Sequence, residues 1–511
     1  MSLRGKRDER GADRLGGLIV IPLIVILVGV LLLSRTFLNH DVSWVLYGSG
    51  VLLDGGWFGS DIVAANPPLV WWIYHVPNAL ARLTGLPVEH AFRAFIVALA
   101  LFSLLAADRL LREGGHNRIF RCGILLLCAL LFTLGAYRDF GQREHITAML
   151  SLPYLLAAGR RYDGAVLSGR FAFAIGVAAG LGIALKPYFA LVPLVVEAAL
   201  LLRRRQLALL WRPEAIGAVL SGIVYAAAIL LFAREWLFEA VPDISKVYWA
   251  FEQASPGHWL RITLQYLLPL GLGGAMAWSS RQNISGMALI CLLASVPFLL
   301  AAVIQAKYYS YHLYPAFTLG LIANALLLRN LDPSRQRIQR VVVAFALAIN
   351  LVTPVLWLKA SQPGGQLFEP KAELTDFVRD HVDREETYLA ISTHPYPGFP
   401  VSIYADRRWS SASNSRIFLP AVVRLREGTE KDAELLAFAE QKERAAMARD
   451  IAGKPALVLV DKAEIRHAIG SSTFDFLEFY NEDEDFREAW KDYRRIDSPS
   501  PEFEAYVRRR N

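Results

Sequence analysis

Apolar runs of about bilayer length fill the first 359 residues of this 511-residue chain. They lie near 17–34, 91–111, 119–136, 144–159, 171–186, 187–202, 214–233, 259–278, 284–304, 309–328 and 340–358. A helix needs about 20 predominantly apolar residues to cross the ~30 Å hydrocarbon core of a bilayer. In lipid every backbone N–H and C=O must be satisfied within the segment, so such runs fold as helices. With 54% hydrophobic and 20% charged residues, the chain is too apolar for an ordinary cytosolic enzyme, a disordered chain or a fibrous repeat. The expected fold is mainly α: a polytopic membrane protein with about eleven transmembrane helices, followed by a hydrophilic domain.

The charges divide as the runs do. Net charge is +13 through Lys359 and −6 beyond it. A basic chain can signal nucleic acid, but here the excess sits in short loops between apolar runs, so nucleic acid is not an expected partner and the lipid bilayer is. Loops holding Arg109, Arg112, Arg118 and Arg121, then Arg160, Arg161 and Arg170, then Arg203, Arg204, Arg205 and Arg212, then Arg281, then Arg329, Arg335, Arg337 and Arg340 alternate with loops poorer in Lys and Arg. Positive residues stay cytoplasmic, so the N-terminus is expected inside and eleven crossings carry the tail outside. Arg170 and Arg203 both read as cytoplasmic. The stretch between them therefore divides into two short spans that turn at Lys186-Pro187. Arg4, Lys6, Arg7, Arg10 and Arg14 precede the first run as in a signal peptide, yet no small-x-small site follows, so it reads as an uncleaved first helix. Residues 1–359 form the expected transmembrane domain, with a first outer loop at about 35–90. Residues 360–511 form an extracytoplasmic α/β domain, in which Thr387–Ser392 and Ala456–Val460 read as strands and Glu430–Asp450 as a helix. The expected location is a bacterial inner membrane, with the tail periplasmic.

Cys122, Cys128 and Cys291 all fall in apolar runs, which supports no disulfide framework and no cysteine metal site. There is no His-x-x-x-His and no Gly-rich nucleotide motif. No cofactor is required by the pattern, although Asp41 and Asp61 are two carboxylates that a divalent cation could bridge.

Ionisable groups at membrane depth cost about 2.5–3.5 kcal/mol on insertion scales and persist mainly where they face a cavity or each other. Sorted by topology, the outer ends carry Asp41, Asp61, Arg138, Asp139, Arg143, Glu144, Lys186, Lys307 and His312, a mixed-sign set drawn from four loops. The inner ends carry mostly arginine. The densest patch is Tyr137-Arg138-Asp139-Phe140-Gly141-Gln142-Arg143-Glu144-His145. Lys186 stands on a nearly loopless turn, with little in the adjoining sequence to neutralise it. In the first outer loop, Asp41 follows Asn39-His40, and Trp44–Leu53 reads as a helix lying at the interface. Then come Ser60-Asp61 and Asn66-Pro67-Pro68-Leu69, followed by Trp71, Trp72 and Tyr74. The prolines stop one helix and can start another. The aromatic group suits a headgroup-level position.

Asp41 just past the first span, the Gly-x-x-x-x-x-Asp stretch ending at Asp61, and Asn66-Pro67-Pro68-Leu69 with its Trp72 are similar to the first outer loop of GT-C glycosyltransferases. The likeness is to family 39 and to the aminoarabinose-transferase and RgtA/B/C/D-like branch. Leu185-Lys186-Pro187-Tyr188 resembles that group's lysine-containing outer turn. Gln305-Ala306-Lys307-Tyr308-Tyr309-Ser310-Tyr311-His312-Leu313-Tyr314-Pro315 resembles its late Lys/Tyr-His-x-x-Pro segment. The likeness covers about 1–358 and does not reach the tail. It implies a polyprenyl-phosphate-linked sugar donor on the outer face, inversion at the anomeric carbon, and a glycan, lipid or protein acceptor. It implies Asp41 as general base and Asp61 as a second acid that positions a substrate. In the aminoarabinose branch a Glu-Lys pair precedes the proline. Here Ala65-Asn66 stands there, so that lysine contact is not carried over.

A leaving polyprenyl phosphate needs cations or donors that meet its developing charge. Arg138, Arg143, Lys186 and Lys307 are the candidates, with Glu144, Tyr311, His312 and Asn66 as further substrate contacts. Two other classes compete. A transporter or flippase of lipid-linked glycans would show charges near mid-membrane and pseudo-repeats between halves, and neither is evident. A non-catalytic envelope assembly protein would leave Asp41 and Asp61 replaceable.

Overall fold

The computed structural model of the chain describes residues 9–251, 284–305, 307, 309–328, 333–428 and 432–509, with scattered positions between 257 and 275. The run expected at 259–278 lies outside the described residues but for five scattered positions. The other ten apolar runs are helical over most of their length: Glu9–Ser34, Val88–Glu113, Arg118–Leu131, Arg143–Tyr162, Gly169–Ala184, Leu191–Arg204, Pro213–Phe232, Gly286–Ile304, Ser310–Leu327 and Pro333–Ala360. Among the described residues, four helices are long and apolar enough to cross a membrane: Val88–Glu113, Pro213–Phe232, Gly286–Ile304 and Gln336–Ala360. Val20–Ser34 and Gly169–Ala184 are shorter apolar helices.

The break at Lys186-Pro187 is present. Lys186 is extended (φ −145°, ψ 135°), as a residue before proline prefers. A single 3-10 turn over Pro187–Ala190 then opens Leu191–Arg204.

The chain forms two compact units. The first contains residues 1–36, 92–226 and 254–359. Its central helix is Arg143–Tyr162, buried from Arg143 to Gly159. This helix packs on Gly169–Ala184 and on Gly286–Ile304, which in turn packs on Ser310–Leu327. Gly159 permits the approach to Gly286–Ile304, because a Cβ there would stand 2.3 Å from the Met287 Cα. Each end of the central helix carries an ion cluster. At one end are Arg143 and Glu144. At the other, Arg161 and Arg212 both reach Glu214 (2.8 and 3.1 Å), and Arg212 also binds Glu197. At 1.5 Å per residue the two clusters are about 26 Å apart, near the thickness of a hydrocarbon core. No Asp, Glu, Lys or Arg falls on the helix between Glu144 and Arg160.

The second unit contains residues 37–91, 227–253 and 360–511. Its five-stranded sheet comprises β1 (Thr387–Ile391), β2 (Arg408–Trp409), β3 (Leu457–Asp461), β4 (Tyr493–Ile496) and β5 (Phe503–Arg508), in the order β2-β1-β3-β5-β4. β1 is parallel to β2 and β3; β5 is antiparallel to β3 and β4. The strands expected near 387 and 456 are β1 and β3. The expected helix is Ala433–Ala452, with Asp432 accepting the Leu435 N–H as its N-cap; residues 429–431 lie outside the described ones. Leu389, Ile391, Val458 and Val460 fill the core against Val422, Met447 and Phe479, joined by Ile244 and Val247. The outer-loop residues are built into this unit. The Tyr47 hydroxyl accepts the Trp409 N–H (2.9 Å), and the Val63 N–H donates to the Ala412 carbonyl (2.8 Å). Trp44 and Trp71, expected at the headgroups, are instead 1% and 0% exposed, with Trp44 packed on both Trp71 and Phe399.

Candidate functional site

The first unit brings Arg143, Glu144, Lys186, Lys307, Tyr311 and His312 into one buried cluster. Gly141 sets it up. It adopts φ +86°, and a Cβ there would stand 2.3 Å from the Phe92 Cζ, so only glycine makes this turn. The Gly141 N–H donates to His145 Nδ1 (2.9 Å), which leaves Nε2–H to donate to the Phe132 carbonyl (3.1 Å). His145 is thereby a clamp on the turn. The helix that begins at Arg143 then carries Glu144 inward, fully buried.

Glu144 pairs with Lys186, and Lys186 Nζ also donates to Gln305 Oε1 at 2.8 Å. The sequence-based view that Lys186 lacks a neutralising partner is therefore corrected. Its counter-ion lies 42 positions away on another helix, where sequence proximity could not show it. Lys186 also lies over the Tyr311 ring, 5.5 Å from its centroid. His312 Nε2 is 3.9 Å from Glu144 Oε1. Lys186, Arg143 and Lys307 all act on His312 electrostatically. His312 Nδ1 is buried with no hydrogen-bond partner among the described residues. With Asp139 of the adjoining turn counted, the buried side chains here hold three cations, Arg143, Lys186 and Lys307, to two carboxylates. That excess, beside an orphaned imidazole nitrogen, suits an anion with several acceptor oxygens.

Arg138 stands at the edge of this cluster. Its side chain is 44% exposed and donates to Ser310 Oγ (2.6 Å), which donates in turn to Asp139 Oδ2 (2.9 Å). This Arg-Ser-Asp link is neutral overall and ties the 137–139 turn to the start of Ser310–Leu327.

Asp41, Asp61 and Asn66 lie in the second unit. Asp41 occupies the first turn of the helix His40–Leu53, with its N–H donated to the Asn39 side chain (2.8 Å). Its Oδ1 is 3.8 Å from His40 Nε2. The carboxylate is held partly exposed, at 22% of the side chain. Asp61 is exposed and closes its own turn, accepting from the Trp57 N–H (2.8 Å) and the Ser60 hydroxyl (2.7 Å). That geometry gives Asp61 a local structural task. Asn66 immediately precedes Pro67, and the helix Pro68–Thr84 starts with proline in its first turn as expected.

Sequence reasoning missed four contributors. Gln305 anchors Lys186, Ser310 bridges Arg138 to Asp139, and two histidines of the tail stand near Asp41. The His40 ring contacts that of His394 (centroids 4.6 Å), and His394 contacts His467 (5.1 Å). Burial, with His40 and His467 close by, pushes the His394 imidazole well below its ordinary range. Burial and His40 push His467 down to about 4, while Asp41 opposes the shift. Among the described residues, no three His, Cys, Asp or Glu side chains are arranged to hold a metal ion.

Among solved structures, the chain is similar to ArnT from Cupriavidus metallidurans in the apo state. The TM-score is 0.57 at 14% sequence identity, over 89% of this chain and 94% of that one. It is also similar to the same protein bound to undecaprenyl phosphate, with a TM-score of 0.57 at 13% identity, over 96% of this chain and 97% of that one. The chain shares the fold of that protein. The likeness of fold runs over 89–96% of the chain, although the motifs themselves stop near residue 358. No family profile and no curated protein matches the sequence. At this identity the likeness is one of backbone arrangement, and the roles of individual side chains rest on their own geometry.

Proposed function

We propose that the chain is an inverting membrane glycosyltransferase that moves a sugar from a polyprenyl-phosphate donor to an extracytoplasmic acceptor. The observation that carries this reading is the buried cation excess around the orphaned His312 Nδ1, on a fold shared with a protein captured holding undecaprenyl phosphate. Residues 1–359 act as the transmembrane domain with its outer loop at 35–90, and 360–511 as the periplasmic domain. About eleven spans put the N-terminus in the cytoplasm of a bacterial inner membrane.

In this reading Arg143, Lys186 and Lys307 hold the donor phosphate, with Tyr311 and His312 beside it. Glu144 keeps Lys186 extended toward that place and offsets part of the charge. Asp41 takes the proton from the acceptor hydroxyl as its oxygen attacks the anomeric carbon. The bond from that carbon to the phosphate oxygen breaks, and the polyprenyl phosphate leaves with the electron pair. The cations stabilise the charge that develops on it, and a positioned base of this kind contributes about 10²–10⁴-fold.

The test is reconstitution in lipid with a panel of polyprenyl-phosphate sugars. Asp41→Asn is expected to bind donor normally and to lose transfer at least a hundredfold. Full transfer by that variant would refute the base assignment. Lys307→Ala is expected to weaken donor binding, and unchanged affinity would move the phosphate elsewhere. A reporter fused after residue 365 should give a periplasmic signal; a cytoplasmic one would overturn the span count.

A further inference from the structure

We propose that the sheet of residues 387–508 carries a saccharide-binding site, and that this site holds the acceptor glycan. The inference rests on the reading above and gives its acceptor a chemical class.

The topology points to the place. β1 runs on to β2 on one side of itself, while β3 lies on its other side. The gap between β1 and β3 is therefore a switch point. In open α/β sheets ligands bind outside the carboxyl ends of the parallel strands at such a point. A cavity of about 830 Å³ sits there. The loop after β1 supplies Tyr396, the end of β3 supplies Asp461, and Glu502 and Phe503 come from the start of β5. The volume falls within the ~300–1,000 Å³ usual for small-molecule sites.

The lining selects the ligand. Arg424 and Arg466 contribute two guanidinium groups, and Asp461 and Glu502 two carboxylates. A phosphate or nucleotide would meet both carboxylates and gain no net attraction. A neutral sugar offers each hydroxyl as donor and acceptor at once, so it can use both signs. The arginines are fixed in advance: Arg424 donates to the Ala468 carbonyl (2.9 and 3.0 Å), and Arg466 to those of Phe474 (2.9 Å) and Ser472 (2.5 Å). Asp461 is likewise held, accepting from the Ser392 hydroxyl (2.8 Å) and the Ala463 N–H (3.1 Å). Donors and acceptors that do not have to be ordered on binding lose little entropy. Tyr396, packed edge-to-face with the buried Phe503 (centroids 5.7 Å), adds a ring on which the apolar side of a sugar can rest.

The cavity also leads toward the proposed base. His394 and His467 line it, His394 touches His40, and His40 adjoins Asp41, all within one compact unit. A glycan seated on the tyrosine has a continuous wall of imidazoles running from it to the carboxylate that would deprotonate its hydroxyl.

The test uses the full chain in lipid nanodiscs and saturation-transfer NMR. The probes are methyl glycosides of glucose, galactose, mannose and N-acetylglucosamine, with inorganic phosphate and glucose 6-phosphate as anionic controls. At least one neutral glycoside is expected to bind. Tyr396→Ala and Ala463→Trp, the second of which fills the cavity, should weaken it at least tenfold while undecaprenyl phosphate binding stays unchanged. Ile465→Trp at the 77% exposed rim guards against a folding artefact and should weaken it as well. Binding of no neutral glycoside, phosphate binding equal to that of the sugars, or full binding in both Trp variants would overturn the proposal. If Asp41→Asn keeps full transfer while Ala463→Trp loses the glycoside, the saccharide site stands and the base assignment falls.

Discussion

The Glu144–Lys186 pair separates stability from substrate affinity, because the two members should affect the latter in opposite directions. Glu144 is 0% exposed and Lys186 7%. Removing one member of a buried ion pair leaves an uncompensated charge and typically costs about 3–5 kcal/mol. Lys186→Met removes the cation paired with Glu144 and leaves the His312 imidazole 3.9 Å from that carboxylate. That variant should pay the larger part of this range. Glu144→Gln leaves Lys186 its 2.8 Å bond to Gln305, so its loss should be nearer the lower end. The double variant, with neither charge of the pair left, should recover most of the loss, giving a coupling of at least about 2 kcal/mol. The assay is a double-mutant cycle from reversible unfolding in mixed micelles, run beside undecaprenyl phosphate titrations. If the cations hold phosphate, Lys186→Met weakens binding at least tenfold. Glu144→Gln raises the local charge by one and should leave binding unchanged or up to about tenfold tighter, since 1.4 kcal/mol is a factor of ten. Additive stabilities within about 0.5 kcal/mol would refute the buried pair. Affinity lost equally in both variants would refute the phosphate site.

Further perturbations test the frame around the cluster and the tail. Gly141→Ala demands a positive φ and a Cβ in contact with fully buried Phe92, so it should lower unfolding free energy by at least about 2 kcal/mol; parental stability would contradict the turn. Arg416 is buried between Glu443 (3.2 Å) and Asp450 (2.8 Å), and Arg416→Met should cost about 3–5 kcal/mol by leaving both acids unpaired, as read by limited proteolysis of the full chain after residue 360. His467 titrates near 4 when folded and near 6.5 when unfolded, so its neutral form favours the native state. Below pH 6.5 the unfolded chain binds the extra proton, and stability should fall between pH 6.5 and about 4. His467→Gln should flatten that part of the profile, and an unaltered profile would mean the ring is not buried beside His40. At lower pH Glu482, held down to about 2 by hydrogen bonds from Arg426 and then Arg444, adds a loss that begins near pH 4.5 as its carboxylate protonates.

Ten of the apolar runs were legible as helices because a long apolar run satisfies its backbone hydrogen bonds within itself, and Pro187 marked a break that backbone sterics enforce. β1 and β3 were legible for the related reason that a short apolar run between polar segments is what a strand buried on both faces looks like. Partner identity was not. Lys186 reads as unneutralised along the chain because Glu144 reaches it from another helix, and the ion pair depends on helix packing set by Gly159 and Met287, which no linear pattern encodes. The same limit explains Trp44 and Trp71. Tryptophans near a span end fit headgroups and a folded core equally well, and the choice is made by Phe399, more than 300 positions on.

That choice bears on function. Because the helix His40–Leu53 packs within the unit that holds the tail's sheet, Asp41 is positioned with residues of that unit such as Tyr47, Phe399 and Trp409. If Asp41 is the proposed base, mounting it this way couples it to whatever the sheet binds. The phosphate-suited cluster, by contrast, is mounted on helix ends within the first unit. Recognition of a lipid-linked donor and of an acceptor would then be encoded in separable parts of the chain. Changes at the mouth of the β1–β3 cavity could alter the acceptor without disturbing Arg143, Lys186 or Lys307.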